Sequence, residues 1–201
     1  VYANAHEWGE DMDQRLDSPP FRDLRDYPIE DRLFIGGIKN LLSGATTVAH
    51  HNPPHPVLFG PEFPVRVLKN YGWAHSLHFN TELEVQTSYR KTPADMLWFI
   101  HLAEGRDRIA AGEYRQLKQL GCVGPNTVII HGVGLQPDDT IDAFDKNHAR
   151  LVWCPSTNLF LLGDTVLPQI LHAASPTIAL GSDSRLTADG DLLDEMRAAH
   201  G

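Results

Sequence analysis

The sequence predicts an α/β protein. Three observations point there. Short runs nearly continuous in Val, Ile, Leu and Trp recur along the chain, at about the interval of one strand-helix unit. Amphipathic helical stretches separate most of them. The runs do not alternate apolar with polar, so the strands are covered on both faces, as in a parallel sheet. Two architectures compete at this point: an open doubly wound sheet and a closed (β/α)8 barrel. No GxGxxG or GxxxxGK[ST] follows any run, so the nucleotide-binding forms of the open sheet find no support.

Taken in order, residues 9–30 are charged and punctuated by proline, which predicts little regular structure. Arg32 to Ser43 carries Phe34, Ile38, Leu41 and Leu42 on one side and predicts a helix that Gly44 stops. Strand-like runs begin near Ala45, Gly72, Leu97, Thr127, Leu151 and Thr177. Residues 52–64 are rich in Pro and Gly and read as a loop. Arg106 to Leu120, with Ile109, Leu117 and Leu120 in step, predicts a helix ended by Gly121. Asp138 or Asp139 is positioned to cap a helix bearing Ile141 and Phe144. Asp164 is positioned to cap one bearing Leu167, Ile170, Leu171 and Ala174, and Asp191 to Ala199 starts another. Trp98 and Trp153 read as core packing.

The chain has 201 residues, 42% hydrophobic and 21% charged, enough for one domain, 1–201, with a real core. Net charge is −9 and no block of Lys and Arg occurs, so neither nucleic acid nor an anionic membrane is an expected partner. No apolar run approaches the length of a membrane span, and no signal peptide opens the chain. Cys122 and Cys154 lack CxxC spacing and read as reduced core thiols of a cytoplasmic protein. The chain opens on Val1-Tyr2-Ala3 without Met and stops at Gly201 just after the start of a helix, which reads as a fragment. Whether it forms a homo-oligomer stays open.

The strand ends carry the chemistry. Successive runs stop at His50-His51, pass His75 and His78, and stop at His101 with Glu104, at His131, at Cys154 to Asn158, and at Asp183. In a parallel α/β protein these ends share one face, and in a barrel that face holds the active site. A single histidine there is weak evidence; repetition on several strands is stronger. Imidazole and carboxylate ligands suit Zn²⁺ or Fe²⁺ with a position open for water. Such an ion lowers the pKa of water, and a nearby Glu that is not a ligand can move the proton. Glu104 could instead pair with Arg106 or Arg108, and Asp183 could cap the segment after it. His50 and His51 point to opposite sides if extended, so one of them faces the pocket.

These stretches resemble the amidohydrolase superfamily, in its cytosine deaminase and chlorohydrolase-like branch. The resemblance rests on "IHLAEG" (100–105), "IIHGVGL" (129–135), "VWCPSTN" (152–158) and "ALGSDS" (179–184), in that order, with "SGATTVAHH" (43–51) and "PIEDRL" (28–33) before them. It implies the (β/α)8 barrel, one divalent metal ion, zinc with iron as the alternative, and a small-molecule substrate. It implies hydrolysis of carbon–nitrogen bonds other than peptide bonds through a metal-activated water, as in a deaminase or cyclic amidohydrolase. Position by position, His101 matches a metal ligand and Glu104 the proton shuttle. His131 matches the histidine that polarises substrate or water, in some relatives also touching metal. Asp183 matches the last metal ligand and a general base. Asn158 falls in the segment resembling the seventh-strand loop and has a substrate-side or structural role. Arg185 is positioned to meet an anionic substrate group, and His51 to face the pocket.

Two departures from the family pattern follow. The family's first strand ends in HxH, supplying two ligands, whereas "NAHEW" (4–8) has Trp8 where the second His would stand. His6 therefore reads as lying downstream of a missing HxH strand, and the barrel as incomplete. Too few residues lie between Phe79 and Trp98 for a full strand and helix, so "TELEVQTS" (81–88) reads as a shortened fourth strand. No convincing bridging lysine occurs there, which favours one metal over two. The missing HxH keeps a second reading open: a barrel that binds a ligand without catalysis.

Overall fold

A computed structural model describes residues 1–50, 53–188 and 190–201. Among the described residues, seven short strands form two parallel sheets. Strands β1 (Thr47–Val48) and β2 (Arg66–Val67) make a two-stranded pair. Strands β3 (Gly72–Trp73), β4 (Trp98–Leu102), β5 (Thr127–His131), β6 (Arg150–Trp153) and β7 (Ile178–Leu180) make a five-stranded sheet in sequence order. Every pairing between these strands is parallel. His101 lies opposite Ile130, Leu102 opposite His131, and Trp153 opposite Leu180, so the carboxyl ends of β4 to β7 line one edge.

The apolar runs become strands because both faces are covered. Trp98, Ile100 and Leu102 of β4 point to a cluster with Ile129, Leu151 and the helix residues Tyr114, Leu117 and Ile170. Phe99 points the other way, with Val128, Ile130 and Cys154, and with Leu68, Tyr71, Trp73 and Val152 around them. The first cluster lies between sheet and helices; the second fills the inner side and forms the floor under the strand-end edge.

Nine α-helices are assigned among the described residues: α1 (Ala5–Asp13), α2 (Phe21–Asp26), α3 (Ile29–Leu42), α4 (Glu82–Lys91), α5 (Arg108–Gln119), α6 (Pro137–Thr140), α7 (Pro155–Leu162), α8 (Pro168–Ala174) and α9 (Leu192–His200). None is long and apolar enough to cross a membrane. A π-helical turn over Ile141–Lys146 continues α6. Asp191 caps α9 with a capping box through Asp194, as its position implies.

Several expectations are corrected. Residues 81–88 are not a strand. Thr81 and Glu84 form a capping box and the segment enters α4, with Val85 fully buried. The short strand next to β4 is instead β3, two residues long, which precedes α4 and pairs Gly72 with Trp98. Residues 9–30 carry the end of α1 and all of α2. Asp164 caps no helix; Pro168 starts α8 at its N1 position. In α5 the buried stripe is Ala110, Glu113, Tyr114 and Leu117, while Ile109 is exposed. The true stripe puts a carboxylate among apolar residues, which periodicity alone would not select.

A candidate metal and proton-transfer site at the strand ends

Among the described residues, three of the four other than glycine with positive φ sit just past strands β4, β5 and β7 or at their ends: Ala103 (55°), His131 (74°) and Asp183 (50°). Each left-handed residue costs on the order of 1 kcal/mol and persists only where its surroundings hold it. The geometry gained is visible at His131. In an unbroken strand it would follow Ile129 onto the helix-facing side. Its left-handed backbone leaves the strand pattern there. The ring stacks on His101 with centroids 5.3 Å apart and brings Nε2 within 3.5 Å of Glu104 Oε1.

Three side chains converge. His101, His131 and Asp183 each offer one ligand atom, all within 4.8 Å of one another. The hydrogen bonds behind the two imidazoles fix which nitrogen each presents. His101 Nδ1 is 3.0 Å from the His75 carbonyl oxygen, which only accepts, so Nδ1 carries the proton. His131 Nδ1 is 2.9 Å from Asn158 Oδ1, so it too donates. In its neutral form each ring therefore turns the Nε2 lone pair towards the shared point, the arrangement that a second layer of hydrogen bonds gives to metal-binding histidines. His131 Nε2 is buried and makes no hydrogen bond among the described residues. An orphaned imidazole lone pair beside a second one and a carboxylate is a donor set that fits a divalent ion such as zinc.

Asp183 Oδ1 lies 3.7 Å from His101 Nε2, and Thr187 donates to Oδ2 at 3.0 Å. Burial alone would raise this carboxyl's pKa. The two imidazoles beside it and the backbone N–H of Ser184 favour its ionised form, outweigh burial and hold Asp183 below the ordinary carboxylate range. Glu104 goes the other way. Burial, then the charge of Asp183, push it up to about 8. His131 is lowered, chiefly by burial, and His75 falls to about 4 through burial and the neighbouring His101. Two carboxyls with pKa values driven apart is the pattern that assigns separate acid and base roles.

The backbone around Glu104 is clamped. Ala5 N–H donates to the Glu104 carbonyl at 2.9 Å and Arg106 N–H to the Ala3 carbonyl at 2.8 Å. Gly105 is glycine because this approach is close: a Cβ there would lie 2.6 Å from Asn4 Cβ and 2.9 Å from Ala110 Cβ.

A cavity of about 810 Å³ opens above the site. His101, Glu104 and Asp183 lie on its wall, with Trp8, Phe63, Phe79 and Arg185 among the other lining residues. Arg185 also donates to the Ala188 carbonyl at 2.9 Å. Asn158 is fully buried behind His131, on α7. His51 lies outside the described residues, while His50 lines the cavity. His6 does not join the cluster; it stands on α1, 3.2 Å from Glu113. Sequence reasoning missed Thr187 and Glu113, each of which supports the site. For Glu113 the signal was present, as a carboxylate in phase with the buried stripe of α5.

No family model matches the chain, and no curated protein matches it. Solved structures do. An adenosine deaminase from Xanthomonas campestris with bound zinc is 19% identical with a TM-score of 0.57, over 69% of this chain and 33% of that one. An amidohydrolase from an environmental sample of the Sargasso Sea is 15% identical with a TM-score of 0.61, over 83% and 51%. An amidohydrolase from Brucella melitensis is 23% identical with a TM-score of 0.54, over 71% and 32%. The chain thus spans a third to a half of the length of these structures. The likeness is one of fold: this chain has the architecture of part of the barrel of these structures.

Proposed function

We propose that this chain forms the later-strand part of a metal-dependent hydrolase of the amidohydrolase superfamily, acting on carbon–nitrogen bonds other than peptide bonds in small molecules. The observation that carries this reading is the convergence of one ligand atom each from His101, His131 and Asp183 within 4.8 Å of one another, with Glu104 beside them.

His101, His131 and Asp183 would hold one divalent ion, zinc by its fit to the nitrogen and oxygen donors. Such an ion supplies Lewis acidity that eases the ionisation of water. Glu104 takes the proton of the attacking water and passes it to the leaving nitrogen; a carboxyl raised to about 8 can hold or release a proton near neutrality. Asp183, ionised, orients the water, and Thr187 holds Oδ2 so that Oδ1 faces the site. Asn158 acts from behind, keeping His131 in the tautomer that presents Nε2. The cavity has room for an aminated ring or a cyclic amide, and Arg185 on its wall offers a contact for an anionic group.

The test is Glu104→Gln in the full-length protein, with metal content measured alongside turnover on a panel of amidines, cyclic amides and aminated rings. Ammonia release separates deamination from ring opening. Removing one positioned acid-base group is expected to cost about 10²- to 10⁴-fold in turnover with metal retained. Retained metal with undiminished turnover overturns the assignment of Glu104. A full-length protein that takes up no metal under any loading condition favours a binding protein built on the same fold.

A further inference from the structure

The buried stripe of α5 contains one residue that its packing does not explain. Glu113 stands between Ala110, Tyr114 and Leu117, only 6% exposed. An unpaired carboxylate in such a place is strongly unfavourable. Both of its oxygens are engaged. Oε2 accepts the backbone N–H of Ala103 at 2.6 Å, and Oε1 lies 3.2 Å from His6 Nε2. His6 is held in turn by stacking on His78, with ring centroids 4.0 Å apart.

Ala103 is the residue at which the chain leaves β4. Its φ is +55°, in the left-handed region that alanine rarely adopts. The next residue is Glu104. The Ala103 carbonyl accepts from Gly134 N–H at 2.7 Å, so the peptide groups on both sides of its α-carbon are fixed, one by α5 and one by the loop after β5. We infer that Glu113 is a positioning residue for Glu104: its carboxylate, completed by His6, holds the left-handed turn at Ala103 and so aims the Glu104 carboxyl at the site. An apolar residue in the same stripe would pack as well and leave the Ala103 N–H buried without an acceptor. The inference deepens the role proposed for Glu104 and rests on that reading. It also accounts for His6, which stands near the site without joining the donor cluster.

The test uses the full-length protein in three variants, E113A, E113D and E113Q, with crystal structures and calorimetric titration by zinc alone. Glutamine retains an acceptor for Ala103 N–H, aspartate withdraws it by one methylene, and alanine removes it. E113A and E113D are expected to move Glu104 away from His131 while His101, His131 and Asp183 stay superposed and zinc affinity is unchanged. E113Q is expected to restore the Glu104 position. A displacement of about 1 Å corresponds to about 100-fold in turnover on any substrate that the wild type converts. Glu104 staying in place in E113D overturns the inference, and E113D decides the matter if E113A does not fold. A tenfold or greater loss of zinc affinity in all three variants, of the size seen when second-layer support of a metal is removed, also overturns it, because Glu113 would then support the whole site. These results do not depend on the Glu104→Gln experiment. If Glu104 moves in E113D but Glu104→Gln turns over normally, the role of Glu104 falls and the positional role of Glu113 stands.

Discussion

The five-stranded sheet and the two-stranded pair are both parallel, and both end towards the same cavity, yet they differ in how they are held. In β4 and β5, Ile100, Leu102, Ile129 and Thr127 are completely buried. In β1 and β2, Thr47 and Arg66 are exposed, and Val67 supplies the buried position. Helix α3, beside the pair, buries only Gly37 and leaves Ile35, Leu41 and Leu42 exposed. All three ligand-capable residues come from the ends of the five-stranded sheet. The difference teaches that precise placement of polar groups needs strands that are packed on both faces. A left-handed residue at a strand end is tolerated only where such packing holds it.

Four experiments on the full-length protein can break or sharpen this contrast. The largest effect is expected in the core. Ile129→Ala removes completely buried methyl groups and is expected to cost about 2–5 kcal/mol, against about 1 kcal/mol or less for Val48→Ala in the two-stranded pair. Denaturant unfolding measures both, and equal losses would erase the distinction. Next come the groups behind the donors. Thr187→Val and Asn158→Leu remove the hydrogen bonds that orient Asp183 and His131. Each is expected to weaken zinc binding by about 10- to 100-fold in a competition assay with a chelating dye.

A smaller effect is pH-dependent. The hydrogen bond to Glu113, opposed by burial and aided by the charge of Glu113, raises the pKa of His6. The folded state thus binds the His6 proton more tightly than the unfolded chain does. The resulting stability is fully present below about pH 6.5, the unfolded value, and is lost as pH rises through the higher folded value. His6→Gln should therefore destabilise more on the acid side of that window than on the alkaline side, as read from unfolding curves at several pH values. A gap that does not narrow with rising pH would remove the ion pair from the account. The smallest effect is expected at Leu42, 79% exposed on α3. Leu42→Ser should change stability by no more than about 0.5 kcal/mol, and a larger loss in the full-length protein would show that this surface is covered there.

Much of the barrel was legible because its strands are covered on both faces, which forces continuous runs such as Leu97 to Leu102 and Thr127 to His131. The residues proposed to hold a metal were legible for a related reason: polar residues that end such runs stand out. What stayed hidden depends on local competition or distance. TELEVQTS carries β-branched and alternating residues, but the capping box of Thr81 and Glu84 starts a helix there. Arg66–Val67 is too short to show a period at all.

By itself, then, the sequence determined the α/β class, the order of the buried strands and which ones end in imidazole or carboxylate, because burial and period are local properties of the chain. Only the tertiary structure decided which of those groups meet. His131 reaches the site through a left-handed backbone that no pattern announces. Its tautomer is set by Asn158, 27 residues away in sequence. Glu113 reaches from the middle of a helix to an amide at the end of the preceding strand. These contacts join segments distant in sequence and exist only once the sheet and its helices have closed on one another.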